Sequence, residues 1–515
     1  MIKQLLIQLS DRGRGDRMTN NIVAIQCTED FVYPNRSPFR PSIKYPEYNL
    51  SGISSTENQV YDMVRKCFID LQLDSENIGN KKWNPLGDII KKGDNVLLKP
   101  NLVMDYNPSG DGVDCLYTHP SVVAAVMDYV IKALDGEGTI IIGDAPMQEC
   151  NFDKLIRESG YKDLVDYYKK VLGDKILINL IDFREVISIS KNGVYEYNTS
   201  SDKGKVVKLD HDSEFDDLSK EQLDKLRITN YDPAILKKHH NEYSNEYYVS
   251  KWVLDADVVI NMPKPKTHRK AGVTIAMKNL VGINARKEYL PHHTNGSIYE
   301  NGDCYKNQSK LKQIMNYCLD KKNYYSQTKG LYLRTQFYRA IVHFANKIVE
   351  QSKTDPYFQG SWYGNDTISR TIVDLNKIIF FADKNGVMQE RKQRKYFIVA
   401  DMIISGHREG PVMPSAIQTG MIASGFDPLI FDEIIAYLMG ADISRIPTIK
   451  RARNYSGRYP FTQRGSQGVI ISNNKNWNGK RIENLHDDDL LYFCPSSGWL
   501  PVFKKRSVKE EKDEI

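Results

Sequence analysis

Six short runs constrain the fold of this chain more than any other feature: Asn21–Cys27, Asn95–Lys99, Thr139–Gly143, Ile176–Ile181, Asp257–Met262 and Tyr396–Asp401. Each is rich in Val, Ile and Leu, and its apolar residues follow one another instead of alternating with polar ones. A strand with one wet face needs alternation. A strand covered on both faces does not, and parallel sheets between helical layers provide such sites. Helical periodicity fills the gaps between the early runs. It covers Thr56–Leu73, with Thr56-Glu57-Asn58-Gln59 as a capping box, then His119–Leu134, with Pro120 in its first turn, then Phe152–Leu172. Strand–helix alternation up to Ile181 predicts βαβ units, hence an α/β fold with a mainly parallel sheet covered by helices. Later helices are predicted over Leu331–Val349, Thr367–Phe381, Ser415–Ser424 and Pro428–Met439.

The 515 residues amount to two to four average domains. Six segments are expected. Residues 1–20 form an N-terminal extension in which Met1 and Met18 are both candidate starts. Residues 21–183 form a first α/β part, and 184–250 a polar insertion with two weak strands. The basic segment and second α/β part span 251–450. A C-terminal segment covers 451–503, and a charged, disordered tail covers 504–515. Tyr243, Tyr247 and Tyr248 of the insertion suit a contact surface.

Charge and motifs narrow the function classes. Lys and Arg number 71 against 65 Asp and Glu, a net charge of +6, which argues against a nucleic-acid coat. The chain has no apolar run of the roughly 18 residues a membrane-spanning helix needs. Its N-terminal charges follow the short apolar piece, the reverse of a secretory signal. Seven scattered cysteines without a CxxC predict reduced thiols in a cytoplasm and argue against an iron–sulfur cluster. Walker A, GxGxxG and GxSxG signatures do not occur.

Polar chemistry collects where the apolar runs stop. The runs lead into Lys99-Pro100-Asn101, Asp144-Ala145-Pro146, Pro263-Lys264-Pro265-Lys266-Thr267-His268 and Asp401. Open parallel sheets bind ligands outside the carboxyl ends of their strands. Lys99, Asn101, Asp144, Lys264, Lys266, His268 and Asp401 are therefore expected to converge, although Pro, Asn and Asp also end strands for purely structural reasons. The segment Val258–Lys287 adds a charge argument. It holds seven Lys or Arg residues and His268 but no acid, and such a patch seeks a phosphate, carboxylate or nucleotide.

Within that segment, Lys264 and Lys266 sit between prolines in a rigid, extended step and are expected to flank a ligand. Lys278 stands inside the apolar stretch Gly272–Gly282, where it either snorkels to solvent or serves as a base, an imine former or a clamp. A loop follows with His292, His293 and Asp303. Asp427, just before Pro428, reads as a helix N-cap. Asp432, in an apolar helix, reads as a magnesium ligand, an acid/base or the partner of a nearby arginine. These readings assign catalysis to Lys278, His268 and Asp144, and substrate binding to Lys99, Asn101, Lys264, Lys266 and His293. They assign a divalent metal to Asp401 and Asp432.

The stretches LLKPNLV, THPSVVAAVMDYV, IIIGDAP, DADVVINMPKPKTH, VTIAMKNLVG, ADMIISGHREGP and IASGFDPLIFDEIIAYLMG, in that order, resemble a bacterial and archaeal family known as domain of unknown function 362. The resemblance spans most of residues 92–450 outside the insertion. GSWYGNDTISRTIVDLNKI and LPHHTNGS resemble a longer subgroup associated with surface-polysaccharide gene sets. It implies an α/β fold and no defined activity. Some members carry an iron–sulfur module, from which this chain departs by having no CxxC. Two functions are expected from the whole: an enzyme acting on an anionic small molecule, or a non-catalytic accessory protein in surface-polysaccharide biosynthesis with a protein partner.

Overall fold

A computed structural model describes residues 21–191, 194–199, 203–326, 330–352, 354–463 and 465–505; the readings placed on 1–20 and on 506–515 fall outside these. Its centre is a ten-stranded sheet. In chain order the strands are β1 (Ile22–Cys27), β2 (Asn95–Pro100), β3 (Gly138–Asp144), β4 (Ile176–Asp182), β5 (Val258–Met262), β6 (Lys266–His268), β7 (Gly272–Thr274), β8 (Lys395–Glu409), β9 (Met413–Gly425) and β10 (Val469–Ser472). The spatial order is β10-β1-β9-β8-β5-β2-β3-β4, with β6 alongside the far end of β8 and β7 paired to β6. All neighbours from β8 to β4 pair in parallel, as do β1 and β10; β9 runs against both of its neighbours.

The uninterrupted apolar runs now have their physical reason. Alternate residues of each central strand enter two different cores. Leu97, Ile141, Val259, Ile398 and Ala400 face helices Thr367–Phe381 and Pro428–Leu438. Val96, Leu98, Ile140, Ile142, Val258, Ile260, Phe397 and Val399 face helices Gln59–Asp70, Pro120–Leu134 and Tyr161–Leu172. Each strand is thus buried on both sides.

Several predicted elements change. Ser415–Ser424 lies in strand β9, not a helix; eleven residues of the strand pair with β8 in a long hairpin, and that ladder overrides local helical spacing. Phe152–Leu172 is two helices, Phe152–Glu158 and Tyr161–Leu172, broken where Gly160 takes φ 88°. The first helix starts at Gln59, capped by Asn58 accepting from the Tyr61 amide, so the Thr56 capping box does not form. Asp427 is the N-cap it resembles, accepting from the Leu429 and Ile430 amides.

Residues 184–250 are more integrated than a surface insertion. They carry a hairpin (Val186–Lys191 with Val194–Thr199) and a small three-stranded sheet. Val207, Tyr247 and Val249 join the core beneath the main sheet. Tyr247 is buried with its hydroxyl on Asp374, whereas Tyr243 is exposed. A helical hairpin, Lys310–Ser326 and Tyr332–Glu350, stands at one side of the molecule. Among the described residues no helix is long and apolar enough to cross a membrane.

Candidate functional site

The carboxyl ends of β2, β3 and β5 lie side by side because these strands are parallel neighbours. From the end of β5 the chain runs through Pro263-Lys264-Pro265 beside β8. There the proline carbonyls accept from the Asp401 and Gly406 amides, a pairing that uses no proline N–H. Lys264 and Lys266, two residues apart on this step, reach different partners.

Lys264 enters a closed network. Its ammonium donates to Asp401 Oδ2 (2.9 Å) and the Tyr33 hydroxyl (2.7 Å), and both charges are fully buried. Asp401 also accepts from the Tyr33 hydroxyl (2.6 Å) and the His119 amide (2.8 Å). Asp401 is not at a strand end either, since β8 continues to Glu409.

Lys266 faces a cavity of about 230 Å³ at the sheet edge. Its ammonium donates to Asn101 Oδ1 (2.7 Å) and to the Leu116 carbonyl. Burial without a carboxylate partner pushes its pKa down to about 7. Lys99 pairs with Asp144 (2.7 Å) at the back of the site, and burial pulls its pKa down against that partner. Asp144 also accepts from the Leu102 and Ala145 amides. Gly282 is required here: a Cβ at that position would overlap Asp144 Oδ1 and crowd Lys99 Nζ. Asn279 joins the strand ends, donating to Asn261 Oδ1 and the Lys99 carbonyl and accepting from Asn101 Nδ2.

Lys278 projects from a one-turn helix, Ala276–Asn279, into the cavity and is partly accessible. It makes no hydrogen bond or ion pair with any described residue. Desolvation, opposed by Asp144, lowers its pKa to about 8. Asp432 builds this turn: its two oxygens accept from the Ala276 (2.8 Å) and Met277 (3.1 Å) amides. Asp401 and Asp432 thus lie in separate networks, each satisfied by protein donors. No group of three His, Cys, Asp or Glu side chains able to hold a metal lies together among the described residues.

The cavity gathers five cationic residues, Lys266, Arg269, Lys270, Lys278 and Lys287, against the carboxylates of Asp144 and Glu149. Burial brings the Lys270 and Lys287 pKa values to about 7. Lys270 donates to Thr229 Oγ1 and Lys287 to the Ala145 carbonyl. The two histidines here differ in tautomer. His268 Nδ1 accepts from the Lys270 and Ala271 amides, both at 3.0 Å, which assigns its proton to Nε2 and makes it a fixed neutral donor. His292 Nδ1 donates to the Leu290 carbonyl (2.7 Å), which leaves Nε2 as a lone pair. Burial lowers the His292 pKa to about 3.

Of the predicted residues, Asn101, Asp144, Lys266, His268 and Lys278 line the cavity, and Lys99 stands behind it. His293 is buried outside the lining, with His292 in its place. Sequence reasoning also missed Gln148 and Thr274. Both are more than nine-tenths buried and line the cavity, and their side-chain polar atoms have no hydrogen-bond partner among the described residues. Nothing in the local sequence marks Gln148; Thr274 and Asn279 stood within the conspicuous stretch Gly272–Gly282.

Fold and site define an α/β protein with a cationic cavity at the carboxyl edge of a mostly parallel sheet. The chain belongs to the family described as Domain of unknown function (DUF362), whose model matches residues 96–174 and 184–437, the latter range including the segment that reads as an insertion. It is 29% identical over 197 residues to the Thylakoid-associated protein sll1697 of Synechocystis sp. (strain ATCC 27184 / PCC 6803 / Kazusa). That match covers 38% of this chain and 41% of the relative.

Proposed function

We propose that the protein is an enzyme acting on an anionic small molecule, a phosphorylated sugar, nucleotide sugar or carboxylate. One observation carries this reading: five cations surround one cavity, and Lys278 makes no ion pair with any described residue. A protein does not gather buried ammonium groups at a cost in desolvation without something to neutralise them. In the bound state Lys266, Lys270, Lys278 and Lys287 hold the anion, and its charge restores their protonation. Gln148, Thr274 and the His268 Nε2–H supply neutral polar contacts. The His292 Nε2 lone pair is a group able to take a proton, and Lys278 in its neutral form is able to act as a base or to form an imine with a carbonyl substrate. Lys99 and Gly282 position Asp144. The reading includes a cytoplasmic location and a substrate from surface-polysaccharide biosynthesis.

Calorimetric titration with glucose 1-phosphate, UDP-glucose and citrate tests it, alongside native mass spectrometry of protein purified from its host. One-to-one binding by at least one probe, weakened by Lys266→Ala and by Lys278→Ala, is expected. Unchanged binding in both folded variants would overturn the reading. A second reading, a non-catalytic accessory protein, draws on the exposed aromatic surface of the helical hairpin. Tight binding with no turnover of any bound anion would favour it.

A further inference from the structure

The hairpin Lys310–Ser326 and Tyr332–Glu350 breaks the usual rule for a surface helix, which turns its polar face outward. In the second helix Thr335, Ala345 and Val349 face the protein. Arg339, His343 and Asn346 border a groove that meets the cavity mouth at Thr229, Asn230 and Arg269. The outward stripe, recurring at intervals of four and seven, is Leu333, Phe337, Phe344 and Ile348, with exposures of 81%, 62%, 69% and 49%. The first helix adds exposed Ile314, Tyr317 and Tyr324.

Charge narrows what covers this face. Lys312 is buried against Asp355 and Lys322 donates to Asn230, which leaves Lys310, Lys321, Arg334, Arg339 and Lys347 of the two helices against Asp320, itself paired with Arg227, and Glu350. Arg334 and Lys347 flank the apolar stripe on its two sides by helical spacing. Lys321 lies beside Tyr317 and Arg334 over Tyr325. An apolar stripe with tyrosines and long basic side chains at its margins is matched to an anionic bilayer surface. The apolar side chains enter the acyl boundary while the cations reach the headgroups. A second copy of the chain would present the same cations and repel them. We propose that this hairpin docks the protein, peripherally, on anionic membranes. The inference stands on the hairpin alone and does not depend on the cavity's chemistry.

The test is co-sedimentation of the full-length protein with phosphatidylglycerol-containing vesicles and with pure phosphatidylcholine vesicles. Binding to the anionic vesicles that weakens with salt, and falls by about tenfold or more in a Phe337→Glu/Phe344→Glu variant, is expected. Both positions are exposed, so the variant's unfolding curve and its anion titration at the cavity stay unchanged. Lack of sedimentation with anionic vesicles would overturn the proposal, and so would equal sedimentation of variant and parent. Concentration-dependent dimers abolished by the variant, without vesicle binding, would assign the face to a second copy instead.

Discussion

Lys264 and Lys278 come from one acid-free segment and meet opposite fates. Lys264 is sealed from solvent and neutralised by Asp401, with Tyr33 sharing both charges. Lys278 stands in a cavity without an ion pair to any described residue, on a turn held by Asp432. The first lysine holds the fold together; the second is free to meet a ligand. Basic residues in a run are therefore not equivalent, and the distinguishing quantity is the partner that the tertiary fold supplies.

The sharpest way to break this comparison is to remove one half of the closed pair. Lys264→Met or Asp401→Asn leaves an uncompensated buried charge and is expected to cost about 3–5 kcal/mol in urea unfolding. Lys278→Ala in the same assay should leave stability unchanged or raise it, because it removes a desolvated charge that has no ion pair. Equal losses in the two would erase the distinction.

In anion binding the order reverses. Lys278→Ala removes a charge-assisted contact, so affinity for the best anionic probe should fall by about 1.5–3 kcal/mol, read by calorimetry. Gly282→Ala tests the positioning of Asp144. Its methyl displaces the Lys99–Asp144 pair and is expected to lower stability by about 1–3 kcal/mol and weaken anion binding together, seen by running both assays on one sample.

The smallest expected effect is on pH. Lysine normally titrates near 10.5, and burial brings Lys266, Lys270 and Lys287 to about 7 and Lys278 to about 8. Between those values and 10.5 the unfolded chain binds more protons than the folded one. The free protein should therefore gain stability as pH rises through this window and lose it below. Through Lys278 alone, anion affinity should move the other way, falling by about tenfold between pH 7 and 9, with proton uptake on binding near pH 8. Comparison of binding heats in buffers of different ionisation enthalpy checks this.

Much of this was legible in the chain. The runs of Val, Ile and Leu marked strands with two buried faces, and parallel pairing then dictated that Lys99, Asp144 and the Lys264–His268 step would share one edge. Other features were not legible. β9 reads locally as a helix and became a strand through its ladder with β8. His292 and His293 are adjacent and look interchangeable, yet backbone direction puts one in the cavity lining and the other in the core. Gln148 carries no local mark, because its unpartnered amide becomes informative only when a cavity forms around it.

The sequence by itself determined the α/β sheet, the polar chemistry at its carboxyl edge and the cationic excess of Val258–Lys287, since these follow from local periodicity, strand direction and composition. Only the tertiary structure decided which charges are neutralised. Lys264 and Lys266, two residues apart, end on different partners, and Asp401 arrived beside Lys264 from 137 residues away. Charge pairing depends on distance in space, and chain order does not encode that distance.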